Sequence, residues 1–120
     1  MDRKKKVLII EDDAATRTSM MNVLETEGFS VTGASDGLDG AIVLGQMEQA
    51  PGVILLDLMM PRANGWDFLD FQRNHHAYKN VPVIICSAYP GIAKSLNPAV
   101  FLQKPLHLQK LLNAVRSYCA

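Results

Sequence analysis

Four short apolar runs constrain this chain more than any other feature. Val7-Leu8-Ile9-Ile10, Val53-Ile54-Leu55-Leu56, Val81 to Cys86, and Val100-Phe101-Leu102 do not alternate polar with apolar residues. Strands with one solvated face show a polar residue at every second position. Continuous runs rich in β-branched side chains instead fit strands buried on both faces. Ser30 to Ala34 is a weaker fifth candidate, anchored by Val31. Between the runs lie segments with helical spacing. Ala15 to Glu27 carries Met20, Val23 and Leu24, with Gly28 as a stop signal. Leu38 to Gln49 carries Leu38, Ala41, Ile42, Leu44 and Gly45 and ends before Pro51. Trp66 to Asn74 carries Phe68, Leu69 and Phe71. Leu106 to Tyr118 carries Leu108, Leu111, Leu112 and Val115 as one apolar stripe facing a core. Strands alternating with helices imply βα units, which require a parallel sheet and right-handed crossovers. Five strands and about five helices make an α/β, doubly wound fold the expectation.

At 120 residues the chain has the length of one domain, and 1–120 reads as a single unit without linker, repeat or low-complexity stretch. A hydrophobic fraction of 48% with 20% charged residues argues against disorder. Twelve basic and twelve acidic side chains cancel, so charge gives no argument for a nucleic-acid or membrane partner. No apolar run approaches the ~18 residues of a membrane span. The basic start Arg3 to Lys6 is followed by too short an apolar run for a secretion signal. It reads more simply as a solvated leader than as a docking patch for an acidic partner. Cys86 and Cys119 do not form a disulfide framework, and a cytoplasmic location is expected. Nothing of domain size follows Ala120, so output is expected through this domain's own surface.

Open parallel sheets bind ligands at the carboxyl ends of their strands. The first run ends in Glu11-Asp12-Asp13, the second buried run in Asp57, the next in Ser87, and the last in Lys104 followed by Pro105. Several carboxylates, a hydroxyl and an ammonium thus converge on one edge. Carboxylates this close repel one another, and a hard divalent cation such as Mg²⁺ relieves the conflict. Asp57 is then a plausible nucleophile that forms an aspartyl phosphate. Ser87 can donate a hydrogen bond to a phosphoryl oxygen, and Lys104 can offer a point charge. Asp13 is the better capping residue for the first helix, which leaves Asp12 for the metal.

At these residues the chain resembles the receiver domains of two-component response regulators, the CheY-like superfamily. Val7 to Asp13 is similar to their first strand and acidic pair. Leu55 to Pro61, followed by Asn64-Gly65, is similar to the phosphorylation-site loop. Ile85-Cys86-Ser87-Ala88 resembles the family's hydroxyl and small residue, and Gln103-Lys104-Pro105 its lysine before a cis-proline bond. The resemblance covers essentially the whole chain. It implies a flavodoxin-like five-stranded sheet of order 2-1-3-4-5. It implies Asp12 as a direct Mg²⁺ ligand, Glu11 in the metal site through water, Asp57 as ligand and phosphoacceptor, and Met59 as a backbone-carbonyl ligand. By the same resemblance Ser87 and Lys104 are expected to contact the phosphoryl group, and Phe101 matches the switch aromatic coupled to Ser87. The resemblance further implies a sensor histidine kinase or phosphotransfer protein, or a small phosphodonor, as the source of the phosphate. It implies a domain that catalyses only its own phosphorylation and dephosphorylation and then relays the group or binds a downstream protein.

The chain departs from that pattern in three places. Glu11 replaces the more usual Asp. Pro90-Gly91 and Asn97-Pro98 bracket only five residues, so a shortened or irregular fourth helix is expected, which argues against a dimer through that face. Met59 and Tyr89, two residues after Asp57 and Ser87, orient water poorly, so slow loss of the phosphoryl group is expected. Three other functions compete. A hydrolase acting through aspartyl phosphate would carry an acid where Met59 stands. A phosphorylation-independent interaction module would usually have lost an acid, the hydroxyl or the lysine. A flavin carrier would need a Ser/Thr/Gly-rich loop where Glu11 to Asp13 stand.

Overall fold

The computed structural model describes residues 5–58, 65–89, 91 and 96–119. Five strands form one parallel sheet: β1 (Lys6–Ile10), β2 (Ser30–Ala34), β3 (Val53–Asp57), β4 (Val83–Ser87) and β5 (Val100–Gln103). Their order is β2-β1-β3-β4-β5, as the resemblance implied. Among the described residues four helices accompany them: α1 (Ala14–Thr26), α2 (Gly37–Gln46), α3 (Gly65–Asn74) and α4 (Leu108–Tyr118). The helix expected between β4 and β5, with its shortening, falls largely on residues 90 and 92–95, outside the described residues.

The apolar runs are buried on both faces because each feeds two cores. Val7, Ile9, Val53, Leu55, Ile84 and Cys86 pack with Met20, Leu24, Leu111 and Val115 of α1 and α4. Leu8, Ile10, Ile54, Leu56 and Ile85 pack with Leu44 of α2 and with Phe68 and Leu69 of α3. Alternate residues of one strand thus enter opposite layers, the pleat periodicity acting on an all-apolar run. β5 differs. As the edge strand it is only half-buried, so both-face burial fails there. Cys86 and Cys119 are buried and unpaired. Burial pushes the Cys86 thiol up to about 12, so it behaves as a small hydrophobe. Met20 is core, Met21 packs against the same cluster, and Met47 packs against the cluster on the other face.

The helix ends have local causes. Asp13 caps α1, its carboxylate accepting from the Thr16 backbone N–H at 2.8 Å. Gly28 reverses the chain after α1 at φ +96°. α2 corrects the bounds expected from the sequence: it begins at Gly37 and stops at Gln46, and its inner face is made partly of glycine. Gly37, Gly40 and Leu44 are buried, whereas Leu38 is 60% exposed and Ile42 51%. A Cβ on Gly40 would lie 2.5 Å from Ile10 Cδ1, so the helix rests on the sheet through glycine. Leu108 likewise lies 45% exposed at the start of α4, off the stripe expected to include it. Among the described residues no helix is long and apolar enough to cross a membrane.

The two leucines of α2 separate these phases in solution. Leu44→Ala should cost about 2–5 kcal/mol in urea unfolding. Leu38→Ala should stay within about 0.5 kcal/mol. A comparable loss from both would contradict the exposure of Leu38.

Candidate functional site

The register of the parallel strands brings their polar ends together. Ile10 pairs with Leu56, Asp57 with Cys86, and Ser87 with Gln103, so Glu11, Asp57, Ser87 and Lys104 arrive at one rim. Glu11, Asp57 and Ser87 are buried there, while Asp12 remains exposed. Lys104 Nζ bridges the two buried acids, at 2.8 Å from Glu11 Oε1 and 3.1 Å from Asp57 Oδ2. Glu11, Asp12 and Asp57 each offer a carboxylate oxygen, and the three oxygens lie within 4.8 Å of one another.

Backbone bonds fix the groups. The Lys104 N–H donates to the Ser87 carbonyl at 2.9 Å, and the Lys104–Pro105 bond is cis. The Ser87 hydroxyl oxygen accepts the Tyr89 N–H at 3.1 Å, leaving its own proton to donate outward. The Glu11 N–H donates to the Ala34 carbonyl at 3.1 Å, and Glu11 Oε2 accepts the Asp13 N–H at 3.2 Å. Phe101 stands opposite Ile85 in the register, half-buried against the core beneath α2 and α3. Met59 lies outside the described residues, as do Pro61 and Asn64. His75 stacks with Tyr78 at 4.4 Å and with Phe71 at 5.6 Å, a packing role.

The family profile described as "Response regulator receiver domain" matches residues 7–116. The chain belongs to the response regulator receiver domain family. It is 29% identical over 118 residues to protein PilG of Pseudomonas aeruginosa, a match covering 94% of this chain and 86% of PilG. Other curated relatives, transcriptional regulators and a sensor kinase/phosphatase among them, are longer, and the chain spans about half of their length or less. In fold the receiver resembles the chemotaxis protein CheY4 of Vibrio cholerae, with a TM-score of 0.86, 24% identity, and coverage of 97% of this chain and 99% of that one. It also resembles the receiver domain of the sensor histidine kinase PA1611 of P. aeruginosa, with a TM-score of 0.86, 20% identity and 98% coverage of both chains. That structure holds a magnesium ion in its active-site cleft. Members of this family are signalling modules rather than conventional enzymes.

The electrostatics of this receiver's rim fit a divalent cation. Three carboxylates and one ammonium sum formally to two negative charges. All the carboxylate donors are hard oxygens, the type that Mg²⁺ takes. Partial burial raises the Asp12 carboxyl above its ordinary 3.8, and a hydrogen bond with Glu11 and repulsion from it add to the rise. Burial pulls the Lys104 ammonium down, but hydrogen bonds and attraction from Glu11 and Asp57 outweigh it and leave its pKa raised.

Two contributors were missed from the sequence. Arg17, on the second turn of α1, donates from Nη1 to the Glu11 carbonyl at 2.7 Å and so holds the acidic turn from above. Its stem crosses Gly33 of β2, where a Cβ would stand 3.2 Å from Arg17 Cδ. The signal was available: an arginine one helical turn past the cap, opposite a glycine in the neighbouring strand. Gly65 is the second. A Cβ there would lie 2.7 Å from the Asp57 carbonyl oxygen, so α3 starts directly against the backbone of the rim. The motif named Gly65 without giving that reason.

A raised Asp12 pKa has a definite sign. The folded state binds that proton more readily than the unfolded state, so ionised Asp12 costs stability at neutral pH. The cost vanishes as the pH falls below the unfolded value. Asp12→Asn should therefore raise the melting temperature in EDTA at pH 7, reflecting a stabilisation of order 0.2–1 kcal/mol for a solvent-screened charge. The gain should disappear at acidic pH. A lower melting temperature at pH 7 would contradict the repulsion.

Proposed function

We propose that Asp57 of this receiver takes the phosphoryl group, with Mg²⁺ held by Asp12, Asp57 and the Met59 carbonyl, and by Glu11 through water. The observation that carries the reading is Lys104 Nζ held between Glu11 and Asp57 beside the three-carboxylate cluster. An Asp57 carboxylate oxygen attacks phosphorus, and the bond to the donor's leaving group breaks with its electron pair. For a phosphohistidine of a sensor kinase or phosphotransfer protein that leaving group is an imidazole nitrogen; for acetyl phosphate it is acetate. Bound Mg²⁺ supplies charge neutralisation as the dianion approaches buried acids.

Lys104 positions one phosphoryl oxygen and offsets its charge. Its three donors allow it to keep Glu11 while it turns from Asp57 to the new group. The Ser87 hydroxyl donates to another phosphoryl oxygen. That bond draws the start of the β4–β5 connection inward, and Phe101 on the adjacent strand responds through packing. The domain spans 1–120, acts in the cytoplasm, and passes its state to a downstream protein or relays the phosphoryl group. Tyr89 is 56% exposed and offers neither carboxylate nor amide to orient water, which supports a long-lived phosphorylated state.

Intact-mass analysis after acetyl phosphate treatment tests the assignment. Mass should rise by one phosphoryl group with Mg²⁺, and not with EDTA or in Asp57→Asn. Equal labelling of Asp57→Asn would place the phosphoryl group on another residue, and an unlabelled wild type would favour an interaction module that works without phosphorylation. A phosphate-release assay tests the lifetime. Met59→Asn with Tyr89→Glu should release phosphate faster than wild type, and an unchanged rate would refute the role of these two side chains.

A further inference from the structure

Arg17 grips the acidic turn at two points, and Asp12 lies between them. Its backbone N–H donates to the Asp13 carbonyl at 2.9 Å, the first bond of α1, and its Nη1 donates to the Glu11 carbonyl at 2.7 Å. The rest of the turn is tied as well. The Glu11 N–H reaches the Ala34 carbonyl, and the Asp13 N–H reaches Glu11 Oε2. Asp12 carries the one exposed carboxylate of the three that cluster at the rim. The backbone on either side of Asp12 is therefore fixed, while its own side chain meets water.

The stem of Arg17 follows a path that a glycine leaves open. It crosses β2 at Gly33, where a Cβ would stand 3.2 Å from Arg17 Cδ, 3.4 Å from Arg17 Cγ and 2.8 Å from Met21 Sδ. Gly33 pairs with Ile9, two residues before Glu11. A glycine inside a strand weakens the strand, and close approach of another group is a usual reason for one. Arg17 is half-buried there. Its apolar stem packs along the sheet, which gives the guanidinium a defined approach to the Glu11 carbonyl.

We infer that Arg17 is a positioning residue for the divalent cation, holding Asp12 in place through the carbonyls of its two neighbours. The inference rests on the reading that Asp12 and Asp57 bind Mg²⁺. Three carboxylates whose oxygens lie within 4.8 Å repel one another, and exposed Asp12 is the one with room to swing away. A turn that is already fixed removes the ordering cost of gathering the ligands when the ion binds. Groups that orient metal ligands typically change affinity by about 10–100-fold when they are removed. Charge alone makes the opposite forecast. The guanidinium is a positive charge close to a cation site, so its removal would tighten Mg²⁺ binding if charge were its whole contribution. The sign of the change separates the two roles.

Isothermal titration calorimetry with Mg²⁺, run well below each protein's melting midpoint, reads that sign. Arg17→Met keeps a packed stem without the charge. Arg17→Lys keeps the charge but ends a bond short of the carbonyl. Both should weaken Mg²⁺ binding by about tenfold or more, while urea unfolding in EDTA stays cooperative. Gly33→Ala leaves α1 untouched and should weaken Mg²⁺ binding by displacing the stem. Asp12→Asn checks the underlying reading and should lose most of the Mg²⁺ affinity. If Arg17→Met does not fold, Arg17→Lys decides by the same measurement. Tighter or unchanged Mg²⁺ binding in the folded Arg17 variants, with Asp12→Asn still impaired, would overturn the inference alone. A wild type that binds no Mg²⁺, or Asp12→Asn binding it equally well, would overturn the metal reading and the inference with it.

Discussion

One ammonium holds this receiver's rim together. Glu11 and Asp57 end neighbouring strands and are both buried, an arrangement that two carboxylates do not tolerate alone. Lys104 reaches both, and it can do so because its own N–H is tied to the carbonyl of Ser87 on the adjacent strand. Truncating such a bridge would leave two buried acids facing each other, which is far costlier than losing a surface ion pair. The same contact that permits the apo fold therefore sets the charge that an incoming cation and phosphoryl group must meet.

The rest of the architecture serves that placement. The sheet is buried on both faces, so its strand ends are fixed by two cores rather than one. Gly65 lets α3 begin against the Asp57 carbonyl, and Arg17 clamps the Glu11 carbonyl from α1. Both helices are thus anchored directly on the backbone of the rim.

Much of this was legible in the residues. All-apolar runs rich in β-branched residues, such as Val53 to Leu56, fit strands enclosed from both sides, and the types that end them named the rim. The misread parts have physical causes. Hydropathy cannot show that glycine is the buried contact of α2, where close approach at Gly40 leaves Leu38 and Ile42 outside. β5 carries the same apolar composition as the central strands but closes an edge, and only topology reveals that. Gln72 reads as a surface residue of α3, yet it is buried and donates to the carbonyls of Tyr78 and Val81, shaping the turn into β4. Arg17 acts on a backbone atom six residues away, a contact signalled only by its place one turn past the cap and opposite Gly33.

Reduction of the phosphorylated protein with borohydride, followed by peptide sequencing, tests the central claim most directly. An acyl phosphate on a carboxylate is reduced to the alcohol, so the modified aspartate becomes homoserine. The account predicts homoserine at position 57 and at no other acidic position, Asp12 and Glu11 included. Homoserine elsewhere, or a phosphoryl group that survives reduction on Ser87 or a histidine, would contradict it.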